Sequence, residues 1–214
     1  MARRPVFVPE SDKPYVSELS LDFEYFPGSS IQQKQRSVAS LHASYVDRFP
    51  SSRVLEVSSR SKRDIGVQLS AFNLMIECPG RGSYSVECAF QASKVFRHGG
   101  PFVDLLNASS RAAKTDRRLR KSGELVGFKY FADEFPLEPK TYFYDWLYAS
   151  ALCRDEKLVE QVMMFDAFTD IEHNPEWSIN CQARSVAKVV GLARAGLLTD
   201  ALQSPQAFLE LGYH

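Results

Sequence analysis

Three polar residues recur at helical spacing in the stretch SVECAFQASKVF, which covers residues 85–96. Glu87, Gln91 and Lys94 are four and three positions apart, which places them on one face of a helix. The other positions are nearly all apolar, so the helix is expected to be buried on most sides. A carboxylate and an ammonium on a buried helix usually line a cavity or pair with another group. The spacing alone also fits a solvated face, with Glu87 favoured by the helix dipole.

A lysine stands at the head of the apolar stripe of another predicted helix, which Ser30 begins with a capping box. The stripe starts four positions after Lys34 and consists of Val38, Leu41 and Tyr45. Burial and a helix N-terminus both disfavour a charged ammonium, and a neutral lysine amine is a nucleophile. Alternatively, the stem of Lys34 covers Val38 while its ammonium reaches solvent. The residues alone leave both interpretations open.

A loop rich in turn-forming residues places four ionisable side chains close together at Asp166, Asp170, Glu172 and His173. Such a loop can present a carboxylate to a cleft, although Asp also favours turns for local reasons. No second His or Cys stands at ligand spacing from His173, so the sequence predicts no metal site and no cofactor.

A run from Arg111 to Lys121 contains six basic residues and one Asp. It fits a solvated helix face, or a local phosphate-binding patch. Lys plus Arg and Asp plus Glu number 26 each, so only a local cluster of this kind argues for a nucleic-acid partner.

Composition points to an intracellular, reduced protein. The four cysteines show no CxxC spacing, which favours neither zinc nor a disulfide framework. Pro5 and Pro9 interrupt the first apolar stretch, so we expect no signal peptide. No apolar run approaches the roughly 18 residues that a membrane span needs. The prediction is a cytoplasmic location without membrane association.

The pattern of helices and strands that must position these residues predicts one domain over 1–214, of the α+β class and mostly helical. Short strands are expected at 5–8 and 53–58, in the N-terminal third, with 64–77 extended around an interruption at 70–73. Helices are predicted from Ser30 to about Phe49, and over 85–96, 109–123, 138–153, 155–165 and 181–198, with shorter ones at 101–106 and 204–211.

Several of these stretches together resemble the NADAR superfamily. The diagnostic helix of that superfamily matches Val86-Glu87, Phe90-Gln91-Ala92, Lys94 and Phe96, with Cys88 where histidine is usual. The segment 22–42 and the stretch FTDIEHNP with SINCQA, within 168–183, resemble one branch: the NADAR antitoxins encoded beside DarT-type DNA ADP-ribosyltransferase toxins. Residues 22–50 are accordingly expected to be a branch-specific segment. The likeness extends over about residues 5–210.

The resemblance implies an N-glycosyl hydrolase that removes ADP-ribose from guanine in DNA and so acts as an antitoxin. Its partners would be ADP-ribosylated DNA, ADP-ribose as product and the cognate toxin. The expected catalytic residues are Lys34 as the Schiff-base nucleophile, Glu87 and Asp170, with Lys94 as the competing amine. The expected ADP-ribose contacts are Ser70, Phe72, Asn73, Gln91, Lys94 and Phe135, the last where other branches carry tryptophan. The expected DNA contacts are Arg111, Lys114, Arg117 and Arg118.

Two other functions stay open. One is an N-glycosidase of a small phosphorylated riboflavin-pathway metabolite, against which the segment 22–42 and the loop 168–183 argue. The other is a non-catalytic module that binds ADP-ribose or the toxin.

Overall fold

The computed structural model describes residues 1–80, 82–176 and 178–213 and confirms the predicted α+β class. Trp177, in the loop expected to be branch-specific, lies outside the described residues. Among the described residues, no helix is both long and apolar enough to cross a membrane.

The strands are β1 (Ala2–Pro9), β2 (Val16–Phe23), β3 (Val54–Glu56), β4 (Met75–Cys78), β5 (Gly82–Ser85), β6 (Lys94–Phe96), β7 (Leu125–Tyr130), β8 (Asp133–Phe135) and β9 (Ala167–Thr169). The helices are α1 (Ile31–Val46), α2 (Asp64–Gln68), α3 (Val86–Ala92), α4 (Ser110–Lys114), α5 (Arg118–Lys121), α6 (Tyr142–Leu152), α7 (Glu156–Val162), α8 (Gln182–Arg194), α9 (Leu198–Ala201) and α10 (Pro205–Tyr213). A 3-10 helix spans Val103–Asn107.

The main sheet has the order β2-β1-β9-β3. β1 pairs antiparallel with β2 along its whole length and with β9 through Phe7 and Phe168. β9 and β3 are parallel, with Thr169 opposite Glu56 at their carboxyl ends. These two ends lie side by side, so the loops that follow β3 and β9 leave the sheet at the same edge.

Helices cover both faces of this sheet, as the alternation of side chains along β1 requires. Val6 packs in a cluster with the α1 stripe of Val38, Leu41 and Tyr45, which confirms that predicted stripe. Phe7 points to the opposite face and belongs to the large core around α6 and α8. At Gly191 of α8 a Cβ atom would lie 2.1 Å from the carbonyl oxygen of Tyr15, so this close helix-to-sheet contact requires glycine.

Three of the predicted elements differ in the structure. The helix predicted over 85–96 ends at Ala92, because Lys94 begins β6 and pairs with Phe128 of β7. Residues 64–77 are not extended throughout but form α2 and β4 around the turn at Ser70–Asn73. The basic run forms two short helices, α4 and α5, rather than one.

A buried acid ties the C-terminal helix to the core. Asp145 on α6 is 1% exposed and accepts hydrogen bonds from Arg184, from the Ser185 hydroxyl at 2.6 Å and from the Tyr213 hydroxyl at 2.6 Å. These partners lie on α8 and α10, and the Thr141 hydroxyl before α6 donates as well, at 2.9 Å, so this one carboxylate holds three helices together.

Candidate functional site

The candidate site lies at the carboxyl ends of β3 and β9, the edge of a parallel pair where ligands commonly bind. Gln182, the first residue of α8, bridges the segments that meet there. Its amide nitrogen donates to the Val57 carbonyl at 2.6 Å, and its oxygen accepts the Ala71 N–H at 2.7 Å. The loop after β3 and the turn at Ser70–Asn73 are thereby fixed against each other.

Glu87 sits inside the protein rather than on a solvated face. The hydroxyl of Ser85 caps α3, and the Glu87 N–H donates to the Ala71 carbonyl at 2.9 Å, so the turn at 70–73 fixes the start of the helix. Glu87 is 6% exposed and accepts a hydrogen bond of 2.9 Å from the Gln91 amide. The Oε1 atom of Gln91 is buried without a hydrogen-bond partner among the described residues, so it is free to receive a donor from a ligand.

Lys94 follows α3 and lies close to the same carboxylate. Its Nζ atom is 4.7 Å from the centroid of the Phe90 ring. Burial lowers the pKa of Lys94; the Glu87 charge acts in the opposite direction, and the charge of Lys114 adds to the lowering. An amine with a lowered pKa is nearer to the neutral form that a nucleophile needs.

Lys34 has a different environment from the one its position predicted. It follows the capped N-terminus of α1, but its Nζ atom lies 3.0 Å from Oε1 of Glu172, and its side chain is 18% exposed. Arg60 reaches the other carboxylate oxygen of Glu172, at 3.7 Å. The Nε atom of Arg60 has no hydrogen-bond partner among the described residues. The ammonium is therefore paired rather than isolated against the apolar stripe.

Asp170 begins the loop that also carries Glu172. Its Oδ1 atom accepts the N–H groups of Glu172 at 3.0 Å and His173 at 3.1 Å. Burial, followed by the charge of Glu56, raises the pKa of Asp170 to about 8, while these two N–H donors act to lower it. The raised pKa favours the protonated form of Asp170, which can donate a proton.

Hydrogen bonds connect the segments that carry the predicted catalytic residues. Gln182 ties the turn at 70–73 to the residue after β3, and the Ala71 carbonyl in that turn accepts the N–H of Glu87. Asp170 directly follows Thr169, the last residue of β9, opposite the end of β3. Lys34 joins the group through its ion pair with Glu172, two positions after Asp170.

The expected ADP-ribose contacts in the turn at 70–73 differ in their exposure. Ser70 is buried, and its carbonyl oxygen accepts the N–H of Asn73 at 2.7 Å. Asn73 is exposed and donates from its amide to the Val67 carbonyl at 2.8 Å. Phe72 is half-buried, and the Lys114 ammonium lies 5.1 Å from the centroid of its ring. The ring of Phe72 and the basic run thus meet at one surface.

Phe135 packs among the aromatic rings around α6. It is 3% exposed, with ring centroids of Phe143 at 4.7 Å, Trp146 at 5.0 Å and Tyr142 at 5.4 Å. Its ring thus contributes to the aromatic core, and its expected contact with ADP-ribose stays a prediction.

The basic run contains side chains with a carboxylate partner and side chains without one among the described residues. Arg118 donates to Asp104 at 2.6 Å and to Asp116 at 3.0 Å, so its charge is used within the fold. Arg111, Lys114 and Arg117 are exposed and have no carboxylate within 4.0 Å in the part of the chain that the structure describes.

A separate apolar cavity of about 540 Å³ lies beyond the end of α3. Its lining includes Ala92, Ser93, Pro101, Val103, Leu106 and Tyr130, and none of the predicted catalytic residues. The predicted catalytic residues therefore lie outside this cavity.

Sequence reasoning overlooked three residues of the site: Glu56, Arg60 and Gln182. Glu56 gave a signal, since it is a carboxylate inside the apolar strand predicted at 53–58. Arg60 and Gln182 gave none, because their partners are more than a hundred residues away along the chain.

The fold is α+β, and the candidate site combines buried carboxylates with two lysines. The family model described as DarT1-associated NADAR antitoxin matches residues 2–214, and the chain belongs to that family. A search of curated proteins found no match. The protein is thus a NADAR antitoxin of the branch associated with DarT1, and its superfamily is one of N-glycosidase-type activity.

Proposed function

We propose that this protein hydrolyses the N-glycosidic bond between ADP-ribose and guanine in DNA and so reverses the modification made by the toxin. The observation that carries the proposal is the Lys34–Glu172 ion pair with the buried Asp170 at one edge of the sheet. Gln182 ties the turn at 70–73 to that edge, and this turn accepts the N–H of Glu87. Cleavage of an N-glycoside needs stabilisation of an oxocarbenium-like centre, a proton for the leaving base and a nucleophile. These side chains supply all three.

Lys34 is the proposed nucleophile. Glu172, 3.0 Å from its Nζ atom, takes the ammonium proton when substrate enters. The amine then bonds to the anomeric carbon of the distal ribose as the bond to the guanine amino group breaks. Opening of the ribose ring gives a Schiff base, and water adds to its carbon, which returns the free lysine and releases ADP-ribose.

The two carboxyl groups have different roles in this scheme. Glu87 stabilises the positive charge that develops at the anomeric carbon. Asp170, whose raised pKa favours its protonated form, donates a proton to the departing guanine. Gln91 orients Glu87 through their hydrogen bond and offers its unpaired Oε1 atom to a ribose hydroxyl.

The exposed basic residues support a DNA substrate rather than free ADP-ribose. Lys114 lies against Phe72, and Arg111 and Arg117 extend the positive surface from there. A strand whose backbone follows these charges would present its modified guanine beside the turn at 70–73.

The first test is release of ADP-ribose from guanine-modified DNA by the purified protein. Tight binding of ADP-ribose or of the toxin without release would instead support the binding module. Cleavage of a phosphorylated riboflavin-pathway metabolite, with modified DNA left intact, would support the metabolic enzyme.

The nucleophile is identified by adding borohydride during incubation with ADP-ribose and mapping the adduct by mass spectrometry. We expect the adduct on Lys34, its loss in Lys34→Arg and its retention in Lys94→Arg. An adduct confined to Lys94, whose pKa is lowered by burial, would reverse the assignment.

A further inference from the structure

Glu56 is a buried carboxylate at the centre of a hydrogen-bond network beside the candidate site. It is the last residue of β3 and is 2% exposed. Its Oε1 atom accepts the Ser58 hydroxyl at 2.6 Å and the Ile171 N–H at 2.9 Å. Its Oε2 atom accepts the Thr169 hydroxyl at 2.6 Å. Three donors satisfy a carboxylate that burial alone would disfavour.

The network also reaches α1. The oxygen of the Thr169 hydroxyl lies 2.8 Å from Nε2 of His42. Because Thr169 gives its single hydrogen to Glu56, the His42 nitrogen has to donate to Thr169. Burial lowers the pKa of His42 to about 4, so its ring is neutral at pH 7 and carries its proton on Nε2. The hydrogen bonds therefore run in one direction, from α1 to Glu56.

Hydrogen bonds thereby connect Glu56 to both segments of the chain that carry the Lys34–Glu172 ion pair. On one side, His42 lies two turns after Lys34 on α1 and is connected through Thr169. On the other side, the N–H of Ile171, held by Glu56, lies between Asp170 and Glu172 in the chain.

We propose that Glu56 is a positioning residue for the reaction: through Thr169 and Ile171 it holds Asp170 and Glu172 against the helix that carries Lys34. This inference rests on the proposed function.

The charge of Glu56 gives this role a measurable signature. The pKa of Asp170 is raised to about 8; burial is the largest cause, and the charge of Glu56 is the second. The ionisable groups around the two acids are His42 on α1, Glu172 and His173 in the loop, Cys181 before α8, and Tyr144 and Tyr148 on α6. Loss of the Glu56 charge lowers the pKa of Asp170, so protonated Asp170 disappears at lower pH.

Glu56→Gln removes the charge and keeps the size. Its amide oxygen can still accept from Ile171, and its amide nitrogen can donate to Thr169. The Thr169 hydroxyl then donates to the other tautomer of His42, which reverses the chain of hydrogen bonds without breaking it. Thr169→Val removes the hydroxyl at nearly constant shape, and Thr169→Ser is its matched control.

We would measure kcat and KM for ADP-ribose release from modified DNA, the Kd of ADP-ribose, the thermal midpoint and the pH profile. For Thr169→Val we expect a kcat lower by about tenfold or more with the Kd of ADP-ribose within about threefold, since small misplacement of reacting groups costs rate more than binding. Thr169→Ser should keep kcat within about threefold. For Glu56→Gln the alkaline limb of the pH profile should move to lower pH.

An active wild type together with an unchanged kcat in Thr169→Val would overturn the positioning role. So would a pH profile of Glu56→Gln that coincides with the wild-type profile. Absence of ADP-ribose release by the wild type is a separate result, which refutes the proposed function itself.

Discussion

Replacement of Asp170 by asparagine is expected to stabilise the protein while it abolishes turnover. The carboxyl is buried, and its pKa is raised from 3.8 to about 8. The folded protein therefore holds the proton more tightly than the unfolded chain, so ionisation of Asp170 opposes folding. The stability that depends on this proton is complete below about pH 4 and is lost as pH rises toward 8. An asparagine carries no charge and escapes this loss.

The magnitude follows from the two pKa values. Each pH unit between them costs up to about 1.4 kcal/mol, so the cost at pH 7 is on the order of 4 kcal/mol. Glu56 reduces this cost, since burial raises its own pKa to about 7 and it is partly protonated there. We expect Asp170→Asn to gain about 2 kcal/mol at pH 7, or roughly 4–8 °C in the thermal midpoint of a chain of this size. The Oδ1 atom of asparagine can still accept the N–H groups of Glu172 and His173.

The assay is thermal and urea unfolding of wild type and variant at pH 5, 6, 7 and 8, with ADP-ribose release measured in parallel. The difference in unfolding free energy should grow with pH in favour of the variant. Asp200→Asn is the control, because Asp200 is exposed and should show no such trend. A difference that is constant with pH, or that grows in favour of the wild type, would refute the reasoning.

Three further predictions concern the carboxylate on α3, the basic surface and the C-terminal helix. Glu87→Gln should lower kcat at least about 100-fold while the Kd of ADP-ribose, measured by calorimetry, stays within a few-fold; wild-type turnover would disprove the charge-stabilising role. Replacing Arg111 and Arg117 by glutamine should weaken DNA binding, and the slope of log K against log salt concentration should fall by nearly one for each lost phosphate contact. The control is Arg118→Gln, which should leave this slope unchanged because Asp104 and Asp116 already neutralise the Arg118 charge. Asp145→Ala should cost about 3–5 kcal/mol in urea unfolding, because it leaves the Arg184 guanidinium without its carboxylate; a loss below about 1 kcal/mol would contradict that role.

Local sequence signals were sufficient to predict the helices whose capping residues lie within the helix segment itself. Ser30 caps α1, whose buried stripe has the predicted spacing, and Asp155 caps α7 by accepting the N–H groups of Lys157 and Leu158. Burial of Glu87 and Gln91 also followed from the apolar residues around them on α3. These features depend on residues within a few positions of each other, which a sequence displays directly.

Features that depend on distant partners were not predictable in the same way. Strand β9 is only three residues long and lies in a stretch rich in turn formers, and its partner β3 is more than a hundred residues earlier. That one pairing sets Thr169 opposite Glu56 and so creates the acid network. The position of Lys34 predicted a desolvated amine. Its partner Glu172 stands in the loop after β9, which the pairing of β9 with β1 and β3 places near α1.

The two candidate nucleophiles can now be distinguished by what deprotonates them. Lys94 owes its lowered pKa to burial, whereas Lys34 has a carboxylate partner that can accept its proton. Glu172→Gln removes that acceptor and leaves the surroundings of Lys94 unchanged. If Lys34 reacts, the rate of borohydride-trapped adduct formation should fall at least about tenfold, within the usual contribution of a positioned base. An unchanged trapping rate in Glu172→Gln, with adduct still formed, would instead assign the Schiff base to Lys94 and leave Lys34 and Arg60 as a cationic pair for the diphosphate.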